Sequence, residues 1–149
     1  MPIKLALFSA CQQYVQQRIE ACQHAMQAAQ ESANSETKSS AGDKYETGRA
    51  MAQNERDRNA VQLQQAKQLQ GELDRIQPEK SCDTVRPGAL VHTSMGRFYI
   101  SISAGKVMVD GQDYFAVSAA APVTVALSGK RTGEQAVFNG KPVQISAIQ

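Results

Sequence analysis

The chain has 149 residues, a formal net charge of +2 and 42% hydrophobic residues. This length suits one ordinary domain, or a small domain with an elongated appendage. The small net charge excludes a strongly basic protein, so we expect no strong direct binding to DNA. Because no apolar run is long enough for a signal peptide or a membrane span, we expect a cytoplasmic protein that does not bind a membrane.

The two halves of the chain differ in composition. Residues 10–80 are rich in Gln, Ala, Glu and Arg, which favour helices, whereas residues 86–149 are rich in Val, Gly and Ser, which suit short strands and turns. A polar stretch that contains proline, residues 77–81, separates them. The composition therefore predicts an N-terminal helical domain over 1–80 and a C-terminal domain over 81–149.

The first helix carries an apolar stripe with steps of three and four residues, as in a coiled coil. Its members are Phe8, Cys11, Val15, Ile19, Cys22, Met26, Ala29 and Ala33. Cys11 and Cys22 would be about 16 Å apart along this helix, too far for a disulfide. Cys82 lies alone in the linker, the polar stretch 77–81 and the residues that directly follow it, and no cysteine or histidine spacing indicates a zinc site.

The second helix is predicted from Asp43 or Lys44 to Ile76, and its clearest apolar positions are Ala66, Leu69, Leu73 and Ile76. The segment between the helices, residues 36–51, contains Ser, Thr, Gly and Asp, which favour turns and helix caps. The two helices are thus expected to form an antiparallel hairpin that turns there. Asp43 and Glu46 would lie on one face near this tip, where they would place negative charge at the end of the hairpin or cap the second helix.

The second half reads as short strands around one short helix. Strands are predicted over residues 88–93, 97–102, 107–109, 113–118, 135–138 and 142–148, with a helix over 121–130 and hairpin turns at Asp110-Gly111 and Asn139-Gly140. The chain is therefore predicted to be α+β, with an N-terminal antiparallel helical hairpin (coiled coil) followed by a small antiparallel sheet domain with one short helix.

Two motifs make the chain resemble the bacterial transcript-cleavage factors of the GreA/GreB family. The first is Gly42-Asp43-Lys44-Tyr45-Glu46 at the bend. The second is the segment 121–134, Ala-Pro-Val-Thr-Val-Ala-Leu-Ser-Gly-Lys-Arg-Thr-Gly-Glu, which is similar to a signature of that family's FKBP-like C-terminal domain. The resemblance covers nearly the whole chain in the same order, and it implies that the sheet domain is FKBP-like.

The resemblance implies a transcription elongation factor that binds RNA polymerase through its secondary channel. Such a factor is not an enzyme by itself, because it stimulates the polymerase's own cleavage of backtracked RNA. The family's functional acids correspond to Asp43 and Glu46, which would act near the RNA 3′ end and help to hold Mg²⁺ shared with the polymerase active site. No cofactor of the chain's own is implied. Partner contacts are implied in the second motif, at Pro122, Leu127, Gly129 and Lys130.

Several positions depart from the family pattern. Glu46 is followed by Thr47-Gly48-Arg49-Ala50, whereas the family commonly has Asn-Ala-Glu-Tyr there, so that Arg49 places a positive charge beside the acids. In the second motif, Ala121 replaces a serine and Val125 stands where a basic residue is frequent. The alternative function is therefore a non-cleaving regulator that occupies the same channel. A prolyl isomerase is a weaker alternative, because the second half has no Trp and few aromatic residues.

Overall fold

The computed structural model describes residues 2–38 and 42–149, and the side chains within 35–47 lie outside the described part. The chain divides into two compact units. One comprises Val15–Gln70, and the other comprises Met1–Tyr14 together with Gly71–Gln149. The start of the first helix and the end of the second thus belong to the same unit as the sheet. A domain boundary near residue 80 stays a prediction.

Two long helices, α1 (Ile3–Lys38) and α2 (Gly42–Asp74), form the N-terminal part of the chain. Within the unit Val15–Gln70, most of the predicted stripe on α1 is buried, at Val15, Cys22, Ala29 and Ala33, whereas Ile19 and Met26 are half-buried. Ala52 and Ala66 are buried on α2. Arg56 Nη1 of α2 donates a hydrogen bond to Gln30 Oε1 of α1 at 2.9 Å. The prediction of an antiparallel helical hairpin is confirmed.

The C-terminal part is a six-stranded sheet with one short helix. Its elements are β1 (Leu90–Thr93), β2 (Gly96–Ser101), β3 (Gly105–Val109), β4 (Gln112–Ser118), α3 (Pro122–Leu127), β5 (Gln135–Phe138) and β6 (Lys141–Ile148). The strand order is β3-β4-β2-β1-β6-β5. The predicted α+β fold class, a helical hairpin followed by a small sheet domain, is confirmed, and each predicted strand is present to within two residues at either end.

One strand pair departs from the expected antiparallel arrangement. Four of the five neighbouring pairs are antiparallel, whereas β2 and β4 run parallel, with Phe98 opposite Phe115. The reason is that β3 and β4 form a tight hairpin, and the returning strand β4, rather than β3, lies beside β2. The sheet is therefore mixed.

The two predicted hairpin turns have the backbone that their sequences favour. Asp110 and Gly111 have φ of 53° and 75°, and Asn139 and Gly140 have φ of 53° and 75°. Two consecutive residues with positive φ characterise a type I′ turn, whose twist matches that of the flanking strands. The β3-β4 and β5-β6 hairpins are thus determined by local sequence.

The two faces of the sheet are covered differently. One face contributes Val91, Phe98 and Ile100 to an apolar core that includes Leu127 of α3. The opposite face carries Leu90, Tyr99 and Ser101, since alternate residues of a strand point to opposite sides. Cys11 of α1 lies against this second face, with its Sγ 3.6 Å from Ser101 Oγ in a buried contact.

The base of α1 differs in one position from the predicted stripe. Leu7 is 1% exposed, whereas Phe8, the predicted first member, is half-buried. Leu7, Cys11 and Val15 follow steps of four residues, so the stripe begins one residue earlier than predicted.

In residues 2–38 and 42–149, no helix combines the length and the apolar character that crossing a lipid bilayer requires.

Candidate functional site

The predicted acidic tip falls at the start of α2. Asp43 and Glu46 follow Gly42, the first residue of that helix. Their side chains belong to the range 35–47, which lies outside the described residues. The prediction that the two carboxylates form one acidic face, and the prediction that they hold Mg²⁺, therefore stay predictions.

The helical surface next to this tip is described from Gly48 onward. Met51 is 66% exposed, whereas Ala52, one residue later, is only 7% exposed and lies in the buried stripe. An open groove of about 750 Å³ lies here, lined by Ser32 of α1 and by Gly48 and Met51 of α2. Arg49 is exposed on the same turn. The tip region thus has small residues between the helices and an apolar side chain at the surface.

The second predicted site is the segment 121–134, which we call the signature segment. It begins with α3, whose N-cap residue Ala121 is extended (φ −61°, ψ 142°) and whose first helical position is Pro122. Proline is well suited to this position because its fixed φ is helical and its missing N–H would have no partner there. Val125 N donates to Ala121 O at 2.9 Å. Ala121 makes no side-chain cap.

The end of α3 is held by an extended segment that precedes the sheet. Gly129 N donates to Val85 O at 3.0 Å, and Val85 N donates to Lys130 O at 2.9 Å. Gly129 has φ of 76°, a left-handed conformation that glycine adopts without strain. These paired hydrogen bonds position Lys130 after the helix. Nothing in the local sequence of Val85 signals this role, because the two segments are far apart along the chain.

The last four residues of the signature segment form a turn that closes on itself. Arg131 N donates to Glu134 Oε1 at 2.9 Å, and Glu134 N donates to Arg131 O at 3.1 Å. Gly133 has φ of 90°, and its N–H donates to Ile145 O on β6 at 2.8 Å. An acidic residue at position 134 therefore has a structural function, since its carboxylate satisfies a backbone donor.

The predicted partner residues differ in exposure. Pro122 and Gly129 are exposed, and Lys130 is half-buried. Leu127 is 0% exposed and belongs to the apolar core beneath α3, so that its side chain offers no surface to a partner. Val125, which lies between Pro122 and Leu127 in α3, is 63% exposed. The outward face of α3 is thus apolar at Pro122 and Val125, and Leu127 anchors the helix to the sheet.

Metal-binding groups do not converge elsewhere in the described part of the chain. Among the side chains described outside 35–47, no three His, Cys, Asp or Glu residues lie close enough to hold one ion. Asp113, for example, pairs with Lys106 instead, with Oδ2 3.2 Å from Nζ.

Comparisons with known proteins give two similar solved structures. No protein-family model matches the chain. No curated protein matches it either. The chain is similar to the crystal structure of GreA factor homolog 1 (Gfh1) of Thermus thermophilus, with 19% identity, 95% of this chain and 94% of that chain covered, and a TM-score of 0.33. It is also similar to a second structure, of the transcription factor Gfh1, with 21% identity, coverage of 95% and 92%, and a TM-score of 0.33. At these values the similarity establishes neither a family nor a function for this chain.

Proposed function

We propose that this chain is a Gre-type transcription elongation factor that binds RNA polymerase through the secondary channel and stimulates cleavage of backtracked RNA. The observation that carries the proposal is the helical hairpin, which turns where the motif Gly42-Asp43-Lys44-Tyr45-Glu46 begins α2. Two paired helices have a small cross-section, which suits insertion into a narrow channel. The chain acts as an accessory factor, and the catalytic centre belongs to the polymerase.

The roles of the tip acids follow from their chemistry. Asp43 and Glu46 supply carboxylate oxygens, the ligands that Mg²⁺ prefers. If these two residues hold a second Mg²⁺ at the polymerase active site, that ion would supply electrostatic stabilisation of the negative charge that develops during cleavage. Asp43 and Glu46 would hold and orient this ion.

Docking is assigned to the signature segment of the sheet unit. Its exposed apolar residues, Pro122 and Val125, lie on an α3 that is fixed by buried Leu127 and by the hydrogen bonds of Val85. Lys130 follows on the same ordered turn. Such a rigid patch loses little conformational entropy on binding, which favours affinity. We therefore assign polymerase binding to this segment and cleavage to the hairpin tip.

A second function is favoured by one specific observation, the pair Gly48-Arg49 directly after the tip acids. Arg49 repels a cation at the tip, and Gly48 weakens the first turns of α2 by about 1 kcal/mol relative to alanine. A chain with these features could occupy the channel without stimulating cleavage. This alternative is a non-cleaving regulator of RNA polymerase.

The deciding experiment adds the chain to a stalled, backtracked elongation complex and measures RNA length. The proposal predicts shortened RNA with the native chain and none with the variant Asp43→Ala/Glu46→Ala. The matched control is Glu55→Ala, which removes an exposed acid from the same helix outside the tip and should leave cleavage unchanged. A native chain that slows nucleotide addition without shortening the RNA would establish the regulator instead.

A further inference from the structure

A buried lysine and a half-buried cysteine meet where the start of α1, the linker and the last residue of the chain come together. The side chain of Lys4 is almost completely enclosed, since the residue is 6% exposed. Its Nζ donates to Lys80 O at 2.7 Å and to Gln149 O at 3.2 Å. The third neighbour of Nζ is Cys82 Sγ, at 3.9 Å.

The thiol of Cys82 differs from the other two thiols of the chain. Cys11 and Cys22 are buried, whereas Cys82 is half-buried and lines a small cleft of about 200 Å³ together with Lys80 and Arg86. A small solute can therefore reach Cys82, and no hydrogen bond to a carboxylate holds its thiol among the described residues. Neither Lys4 nor Cys82 has a part in the proposed polymerase function.

We propose that Lys4 and Cys82 form a reversible covalent cross-link, a sulfenamide, when the protein meets hydrogen peroxide or an alkyl hydroperoxide. In the first step the Cys82 sulfur attacks the peroxide and the O–O bond breaks. The sulfur is oxidised to a sulfenic acid, and the peroxide is reduced to water or an alcohol. The amine that lies beside this sulfur determines the next step.

In the second step the lone pair of neutral Lys4 Nζ attacks the sulfenic sulfur. The S–N bond forms as the S–O bond breaks, and the departing hydroxide takes the amine proton as water, so this step needs no further oxidant. Burial lowers the pKa of Lys4, assisted by the charge of Arg86, although the neighbouring Cys82 opposes the shift. The neutral amine that the reaction needs is therefore more accessible than in a solvated lysine.

The cross-link would tie the linker to the start of α1. Nζ and Sγ must approach from 3.9 Å to bonding distance, which the flexible lysine side chain permits by giving up one carbonyl partner. A thiol reductant would reverse the link by attacking the sulfur and releasing the amine. The pair thus forms a reversible intramolecular cross-link, distinct from the disulfides that exposed cysteines form with other molecules.

The test treats the purified full-length chain with hydrogen peroxide and measures its intact mass and its linked peptides. The expected product is lighter than the reduced chain by two hydrogen atoms, contains a peptide link between Lys4 and Cys82, and returns to the original mass with dithiothreitol. Cys82→Ser should give no link. Lys80→Arg is the matched control, because it changes the lysine whose carbonyl binds Lys4 but keeps that carbonyl, and it should link as the native chain does.

The variant Lys4→Arg separates the proposed link from simple oxidation of the thiol. It keeps a buried cation and donors but has no amine that can attack, so Cys82 should instead gain one or two oxygen atoms. If Lys4→Arg does not fold, the peptide map of the native chain decides the question by itself. A native chain whose Cys82 gains oxygen while Lys4 stays unlinked, or links to a different lysine, would overturn the proposal.

Discussion

At the scale of single residues, the hydroxyl of Tyr99 is an unusual feature of the interior. Tyr99 is 0% exposed, and its hydroxyl oxygen has no hydrogen-bond partner among the described residues. Burial raises the pKa of Tyr99 well above its usual range, and the neighbouring Cys11 and Cys82 add to the shift. Burial therefore favours the neutral form of this phenol.

Tyr99→Phe should consequently stabilise the protein. An unsatisfied buried polar group costs roughly 1–3 kcal/mol, so removing the hydroxyl should raise the free energy of unfolding by about 1 kcal/mol. Urea denaturation measures this. The control is Tyr114→Phe, whose hydroxyl lies 3.4 Å from Gln112 Oε1 and whose loss should not stabilise. A lower free energy of unfolding for Tyr99→Phe would mean that the hydroxyl is hydrogen-bonded after all.

Lys4 predicts a definite pH dependence of stability. Because burial lowers its pKa in the folded chain below the usual 10.5, the unfolded chain binds more protons between these two values. The free energy of unfolding should therefore rise with pH across that interval. The comparison is between Cys82→Ser and Cys82→Ser/Lys4→Met, so that the two variants differ only at Lys4. The free energy of unfolding of Cys82→Ser, minus that of the double variant, should rise with pH. If this difference falls or stays level instead, the lowered pKa of Lys4 is contradicted.

At the scale of elements, replacing a glycine by alanine is predicted to have opposite effects on stability in a helix and in a turn. Gly71 lies in α2, is exposed, and has open space where a Cβ would be placed. Gly71→Ala should raise the free energy of unfolding by about 1 kcal/mol, because alanine restricts the unfolded chain and favours the helix.

The matched variant is Gly140→Ala in the β5-β6 turn. Open space also surrounds Gly140, but its φ of 75° disfavours any side chain. This variant should lower the free energy of unfolding by about 1 kcal/mol. Equal effects of the two substitutions in urea denaturation would show that backbone conformation does not decide them.

The elements also show what the sequence can and cannot predict. Asn139-Gly140 determined its hairpin because the residues that the turn needs are adjacent in sequence. The parallel pairing of β2 with β4 could not be read in this way, since it depends on a contact between strands separated by a hairpin. Leu7 was missed because a stripe with steps of three and four can begin at either of two neighbouring apolar residues.

In the candidate site, too, the local features could be predicted from the sequence and the tertiary contacts could not. The signature segment forms the predicted short helix and glycine turn, because Pro122 and Gly129 restrict the backbone locally. The burial of Leu127 and the clamp from Val85 required the tertiary structure. The roles of Asp43 and Glu46 rest on the resemblance of their motif, and they stay predictions.

At the scale of the whole molecule, binding and cleavage should be separable. If the signature segment docks the chain and the tip acts in the channel, Asp43→Ala/Glu46→Ala should bind RNA polymerase within a few-fold of the native affinity. Val125→Glu, which places a charge on the exposed face of α3, should instead weaken binding by about tenfold or more. Far-UV circular dichroism controls for folding of both variants. Loss of binding in the tip variant would mean that Asp43 and Glu46 contribute directly to the affinity for RNA polymerase.

Arg49 offers a gain of function at the same scale. If the chain stimulates cleavage as proposed, Arg49→Glu should strengthen that cleavage, because it removes a positive charge that would repel a cation at the tip. The rate of RNA shortening at a fixed, limiting Mg²⁺ concentration measures the effect. Arg58→Glu, an exposed arginine farther along α2, is the matched control and should change the rate little. Equal changes in both variants would indicate a general effect of charge.

The most direct measurement of the central claim is the rate of RNA cleavage in a backtracked complex as Mg²⁺ is varied. If Asp43 and Glu46 share a weakly held ion, the native chain should stimulate cleavage steeply at low Mg²⁺. Asp43→Asn should then need about tenfold more Mg²⁺ for the same rate, a loss of ~1.4 kcal/mol in ion binding. A native chain that binds the polymerase and shortens no RNA at any Mg²⁺ concentration would contradict the account.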